Sequence, residues 1–517
     1  MKRIELPCAL ALVTLTVSLA GCGDDGSSFG DEGYYTSGDG GESGGGQDGG
    51  AEGGDEPVIP DEEGPTEETE TETDTGEPLC NDVDDVILYL SPDDSNSMSS
   101  PVQVRERVLV DGLGLGPVAI RPWEFMNYYS FDYAPADDGS LALSAELRML
   151  EGFPEDAPHY QLQLGVTSEE MTDAERPPMN ITLVLDTSGS MSGEPIELLE
   201  HSCRAIAASL REGDKVSMVE WDTQNSWTLA GYAVTGPNDP QLLDKIEALT
   251  AGGGTDLHGG LTSGYELAQQ TWDINALNRL VLISDGGANA GVTDIELIAE
   301  SANYGGSDGI YLVGAGVDLV GTYNDDLMDV VTDAGKGASV FITNEAEAWD
   351  TFNTNFISTM GLAARNVQVE LSLPPGFEIV KFSGEELSSD PKEVEPQHLA
   401  PNDSMVFLQE LVTCAPELID EAAQITVTAT WEDVSSFESM EVSQSYSFAQ
   451  LLDSDASRMA KGAAIIAYVD ALIAIKSGTL TEAGVAIDAA YAAIAAAQAV
   501  LPGDADLDEI KQILDAL

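Results

Sequence analysis

Asp186, Ser188 and Ser190 stand at alternating positions where the short apolar run Ile181-Thr182-Leu183-Val184-Leu185 ends. One carboxylate and two hydroxyls offer only oxygen, the donor type that hard divalent cations such as Mg2+ prefer. Two further oxygen donors follow downstream. Thr255 closes the glycine run Gly252-Gly253-Gly254, and Asp285 ends a second apolar run, Leu280-Val281-Leu282-Ile283-Ser284. The chemistry these residues suggest is cation binding from three separate loops. The elements that must bring them together are legible too. Both apolar runs fit buried parallel strands. In open α/β sheets, ligands sit in the crevice beyond the carboxyl ends of such strands.

Between residues 178 and 362 strand-like and helix-like segments alternate. Strands are expected at 181–186, 215–221, 227–234, 280–284, 310–315 and 339–343. Helices are expected at 195–211, 240–249, 257–271, 294–303, 324–334 and 347–362. Such alternation predicts a mostly parallel sheet with helices on both faces. The D-x-S-x-S, Thr and Asp set, in that order across three loops, resembles the metal-ion-dependent adhesion site of von Willebrand factor type A (VWA) domains. The resemblance implies an α/β fold, a Rossmann-like, doubly wound sheet. It also implies a cation held by Asp186, Ser188, Ser190, Thr255 and Asp285. The three hydroxyls would ligate directly, and the two carboxylates directly or through water. Mg2+ is the expected ion, with Ca2+ or Mn2+ as alternatives. An Asp or Glu carboxylate of a protein partner would complete the coordination. His258 lies one helical turn beyond Thr255; it either rims the site or is a plain surface histidine.

The chain has 517 residues, enough for two or three domains, and a formal net charge of −72 from 92 acidic and 20 basic residues. Such acidity repels phosphate backbones, which argues against nucleic-acid binding. Lys2 and Arg3 precede an apolar stretch, and Leu19-Ala20-Gly21-Cys22 follows. This start resembles a bacterial lipoprotein signal (residues 1–22), which implies lipidation of Cys22 and a membrane anchor at the cell envelope. The outer membrane or cell surface is the favoured location, with the periplasmic side as the alternative. Residues 23–79 are rich in Gly, Ser, Glu, Asp and Thr, with no Lys or Arg. Such a segment cannot bury a core and is expected to stay disordered as a tether. About 57 residues of flexible coil span roughly 40 Å. With Cys8 and Cys22 assigned to the signal, Cys80, Cys203 and Cys414 remain. Cys203 falls in a helical pattern, and a Cys80–Cys414 disulfide is expected.

An N-terminal β region (80–177) carries strand-like runs at 86–90, 102–110, 141–150 and 160–167. An aromatic cluster, Arg121 to Tyr133, lies among them. It resembles the segment before the VWA domain in bacterial VWA lipoproteins labelled calcium-activated chloride channel homologues. Residues 366–450 alternate with period two and predict a β-sandwich, which the strands before the α/β unit would complete. Residues 455–517 are Ala-rich and predict short C-terminal helices packed on the sandwich, and no membrane span is expected in the mature chain. Asp93-Asp94-Ser95-Asn96-Ser97 repeats the D-x-S-x-S spelling but lacks the βα units that would supply the other loops. A capped turn is the simpler reading.

The function expected from these features is binding rather than catalysis. The alternatives are an envelope scaffold with a purely stabilising metal, and, ranked last, a metal-dependent hydrolase without a recognisable base or nucleophile.

Overall fold

The computed structural model describes residues 84–517 except 94, 96, 289–308, 319–322 and 421. Before the α/β unit come β1 (Val86–Ser91), α1 (Ser99–Arg105), α2 (Pro122–Tyr128), β2 (Ala142–Met149) and β3 (His159–Thr167). The unit itself starts with β4 (Met179–Asp186), α3 (Glu194–Ser209), β5 (Lys215–Trp221), β6 (Asn225–Ala233) and α4 (Pro240–Glu247). It continues through α5 (Leu257–Gln270), β7 (Leu277–Ser284), β8 (Tyr311–Gly316), α6 (Asp325–Ala334) and β9 (Ser339–Phe341). Its sheet runs in the order β6-β5-β4-β7-β8-β9, all parallel except the antiparallel edge pair β5/β6. Every residue of β4 and of β7 is buried. This follows from their near-continuous apolar sequence, since helices cover both faces. Gly260 and Gly264 let α5 lie tight on the sheet. A Cβ at those positions would come within 2.6 Å of Trp221 and 2.4 Å of Val184. The helix expected over 294–303 lies outside the described residues.

After the unit come β10 (Ala364–Leu373), β11 (Phe377–Phe382), β12 (Glu386–Ser388), β13 (Gln397–Leu399), β14 (Ser404–Thr413), β15 (Gln424–Asp433) and β16 (Ser439–Ser447). These strands do not form a sandwich among themselves. One sheet runs β12-β1-β10-β15-β16, with β13 also on β10; the other runs β11-β14-β3-β2. Each sheet thus draws strands from both sides of the α/β unit, which interrupts a single sandwich. Leu147, Leu162, Leu164, Leu371, Phe407 and Val427 are among the side chains of its common core.

The run 102–110, expected as a strand, is helical. It spans α1 and a π-helical turn, Glu106–Val110. The Val-x-Val alternation suggested period two, but burial on two sides decides the outcome. Val104 and Val108, four residues apart, enter the helical core, while Val102 packs against the α/β unit. Propensity yields to tertiary context here. The C-terminal helices are Ser457–Ser477, Leu480–Val500 and Ala505–Ala516. Thr479 opens the second with a reciprocal cap to Glu482. By length and composition alone, Leu480–Val500 is apolar enough to cross a membrane, which the sequence reading did not expect. It packs through Ala490, Ile494 and Ala497 into a core shared with α2 and its neighbouring helices.

Candidate metal centre

β4 is flanked by parallel partners, β5 on one side and β7 on the other, so the carboxyl ends of all three strands share one edge. Asp186 ends β4 there. Ser284 ends β7, and Asp285 follows it. Backbone bonds tie the loops at this edge together. Thr187 N–H donates to Trp221 O (2.9 Å), Gly252 N–H to Thr187 O (2.8 Å) and Gly189 N–H to Gly253 O (3.1 Å). Thr223 Oγ1 accepts from Gly254 N–H at 2.7 Å and pins the glycine run. The run can therefore be flexible in sequence and fixed in place.

Asp186 is fully buried. Its Oδ1 accepts from Ser188 N–H at 2.9 Å, and its Oδ2 accepts from Ser284 Oγ at 2.7 Å. Ser188 and Ser190 hydroxyls lie 3.0 Å apart; Ser188 is buried and Ser190 exposed. Thr255 is 1% exposed and Asp285 7%. A Cβ added to Gly287 would lie 2.9 Å from Asp285 Oδ1 and 3.4 Å from Thr255 Cγ2, so these two residues flank one spot. Burial pushes the Asp186 carboxyl up to about 7; the bonds from Ser284 and Ser188 oppose that rise, and the nearby charge of Asp285 adds to it. Among the described residues, neither carboxylate forms an ion pair with Lys, Arg or His.

All five sequence-derived residues thus come to one edge of one sheet. The donor set is oxygen only, and two neighbouring acids without a cationic partner suit a divalent ion. His258, the second residue of α5, is half-buried. Sequence reasoning missed Ser284, whose hydroxyl orients Asp186, and Thr223. Ser284 had a signal, because it directly precedes the strand-ending acid. Thr223 had none, since only the folded loop shows what it holds.

Residues 181–288 match the sequence model of the von Willebrand factor type A domain. The chain carries a VWA domain. It is 26% identical over 277 residues to the uncharacterized protein YfbK of Escherichia coli, covering 52% of this chain and 48% of that one. It is 28% identical over 225 residues to the uncharacterized protein sll0103 of Synechocystis sp., covering 43% and 51%. The chain therefore spans about half the length of these curated relatives. A solved von Willebrand factor type A protein from Catenulispora acidiphila aligns with a TM-score of 0.46 and 15% identity, over 74% of this chain and 91% of that one. VWA domains typically mediate protein–protein interaction or adhesion, commonly bind a divalent cation, and are generally binding proteins rather than enzymes.

The D-x-S-x-S decoy has a different setting. Ser95 Oγ accepts from Ala400 N–H (3.3 Å) and Ser97 Oγ from Ser339 N–H (3.2 Å), so its hydroxyls brace neighbouring segments. Carboxylate oxygens of Asp93, Asp333 and Glu385 lie within 4.8 Å of one another. Cys203 is a buried free thiol and Cys414 is disulfide-bonded; Cys22 and Cys80 lie outside the described residues.

Proposed function

We propose that this protein is a lipid-anchored, extracytoplasmic binding protein whose VWA domain presents a divalent cation, Mg2+ in the first instance, to an acidic group on a protein partner. The observation that carries the reading is the pair of buried carboxylates, Asp186 and Asp285, at one sheet edge with Ser188, Ser190 and Thr255, and neither acid pairs with Lys, Arg or His among the described residues. Ser188, Ser190, Thr255, Asp186 and Asp285 would hold the ion. Mg2+ takes six oxygens and gives up its waters reluctantly, so it keeps positions that a partner's carboxylate can fill. The chain's own residues supply the rest. Ser284 fixes the rotamer of Asp186, and the Thr187–Trp221 and Gly189–Gly253 bonds hold the hydroxyl-bearing loops in register.

Anchoring through Cys22 would present this edge outside the cytoplasm. The experiment is a pull-down from envelope extract with the full chain in Mg2+ and in EDTA. Partner capture that needs Mg2+ and is lost in Asp186→Ala supports the reading. Capture unchanged by EDTA, with only a lower melting temperature, points instead to a scaffold whose metal is structural. Cys22→Ala should release the protein from the membrane fraction; retention there would refute the anchor.

A further inference from the structure

Arg365 is anomalous in a chain with only 20 basic residues against 92 acidic ones. Among the described residues it is the one arginine whose guanidinium neither hydrogen-bonds nor pairs with a carboxylate. Yet it is only 7% exposed, and its Nε is buried without a partner. Leaving such a donor unsatisfied costs about 1–3 kcal/mol, more when it is charged. Arg365 is the second residue of β10. A β-bulge follows it, with Asn366 at φ +49°. The preceding residue, Ala364, enters the sandwich core, and Arg365 turns the other way, onto Tyr311 of the VWA domain.

Two rings lie against the guanidinium. Its carbon lies 5.3 Å from the centre of the Tyr311 ring and 3.9 Å from that of Phe437. Phe437 is 55% exposed and sits at φ +59°, a backbone region that a bulky aromatic residue rarely enters. Such outliers collect at ligand clamps and similar sites. The hairpin turn that holds Phe437 is pinned by Asp433, whose Oδ1 accepts from the backbone N–H and the hydroxyl of both Ser435 and Ser436. The acid opposite Arg365 in register, Glu432, accepts from Asn366 Nδ2 at 3.1 Å. One oxygen of each of these two carboxylates is therefore engaged away from Arg365. The surroundings are cationic as well. Burial first, and then the charges of Arg279, Lys336 and Arg365, act against protonation of His398.

The two rings contact the guanidinium carbon, and its in-plane N–H donors remain for a ligand. A planar fork of donors matches a carboxylate bidentately. A planar donor fork also suits a flat anion better than a tetrahedral one, and the opposed Glu432 disfavours a dianion. We propose that Arg365, packed against Tyr311 and Phe437, is a carboxylate-binding site, with Phe437 as a lid that moves aside to free Nε. The carboxylate can come from a small free acid or from an Asp or Glu side chain of a polypeptide.

The test is calorimetric titration of the full chain with sodium acetate and, separately, with N-acetyl-glutamate amide. Chloride serves as the control at matched ionic strength. EDTA is present throughout, so that no cation at Asp186 contributes. Saturable binding of either probe is expected, and tighter binding of the glutamate derivative identifies a side-chain source. Arg365→Lys keeps the charge but loses the fork, and should weaken binding by about tenfold or more. Phe437→Gly suits the φ of that position and should change the affinity at least about threefold while the protein stays folded. Titrations that do not saturate, or that are identical in both variants and wild type, would overturn the proposal and leave the ring contacts as a packing device.

Discussion

Arg121→Met gives the sharpest test of how the helical layer is held to the VWA domain. Arg121 reaches Glu124 at 3.2 Å, Asp325 at 2.6 Å, Asp329 at 3.2 Å and Asp326 at 3.6 Å. One cation thus serves four carboxylates across the contact between α2 and α6. Glu124 is fully buried, and its second oxygen accepts from Ser100 N–H. Burial raises the Glu124 carboxyl to about 7; Arg121 opposes this and Asp325 adds to it. Asp329 rises to about 6, again mainly through burial. Removing one partner of a buried ion pair costs about 3–5 kcal/mol. Here the orphaned acids can take up protons, and each pKa unit is worth about 1.4 kcal/mol. The loss should therefore be about 3 kcal/mol at pH 8 and smaller by about 1–2 kcal/mol at pH 5.5. In wild type, folded pKa values above the unfolded ones give stability that is full below about 4.5 and fades as pH rises through about 7, so the contact tightens on acidification. The assay is urea denaturation at both pH values, with hydrogen exchange over residues 99–128 and 325–334. Adding Glu124→Gln to Arg121→Met should recover about 2 kcal/mol at pH 8. Equal losses at both pH values and no rescue by Glu124→Gln would refute the reasoning.

Ser284→Ala removes the 2.7 Å bond to Asp186 and should weaken cation affinity by about tenfold, read by calorimetry, with the fold intact by circular dichroism. Asp214→Asn breaks a buried bidentate pair with Arg176 (3.0 and 2.7 Å) and should cost about 3 kcal/mol in denaturant unfolding at pH 7. Although burial opposes it, the Asp214 carboxyl is lowered by the bonds from Arg176, Met179 and Arg211. Its contribution is therefore present above about pH 3.8 and lost as pH falls further, and the mutational cost should shrink there. Cys203 is fully buried, and burial drives its thiol pKa far up. Iodoacetamide should leave it unmodified in the native protein and alkylate it in denaturant, as read by mass spectrometry.

The VWA unit was legible because two signals agreed. Apolar runs such as 181–185 and 280–283 fit buried strands, and an acid follows the first directly and the second after Ser284. The five candidate oxygen donors could be named from that pattern together with the resemblance to the VWA metal site. The sequence was less informative where packing, not periodicity, sets the structure. The Val-rich run 102–110 alternates like a strand yet folds as helix, because it must face two cores. The short strands β12 and β13 have too few residues to show any period. The Arg121 and Arg365 contacts join residues hundreds of positions or a whole domain apart, such as Arg121 with Asp325, and no local spacing encodes them. Gly264 reads as a weak point in a helix until its approach to Val184 is seen.

The central claim is that Asp186, Ser188, Ser190, Thr255 and Asp285 hold one divalent cation. Isothermal titration of the metal-stripped full chain with MgCl2 tests it most directly, beside Asp186→Ala as control. One saturable site per chain in wild type, with none in the variant, is the result predicted. No binding heat and no thermal shift in wild type, or an undiminished site in Asp186→Ala, would contradict it.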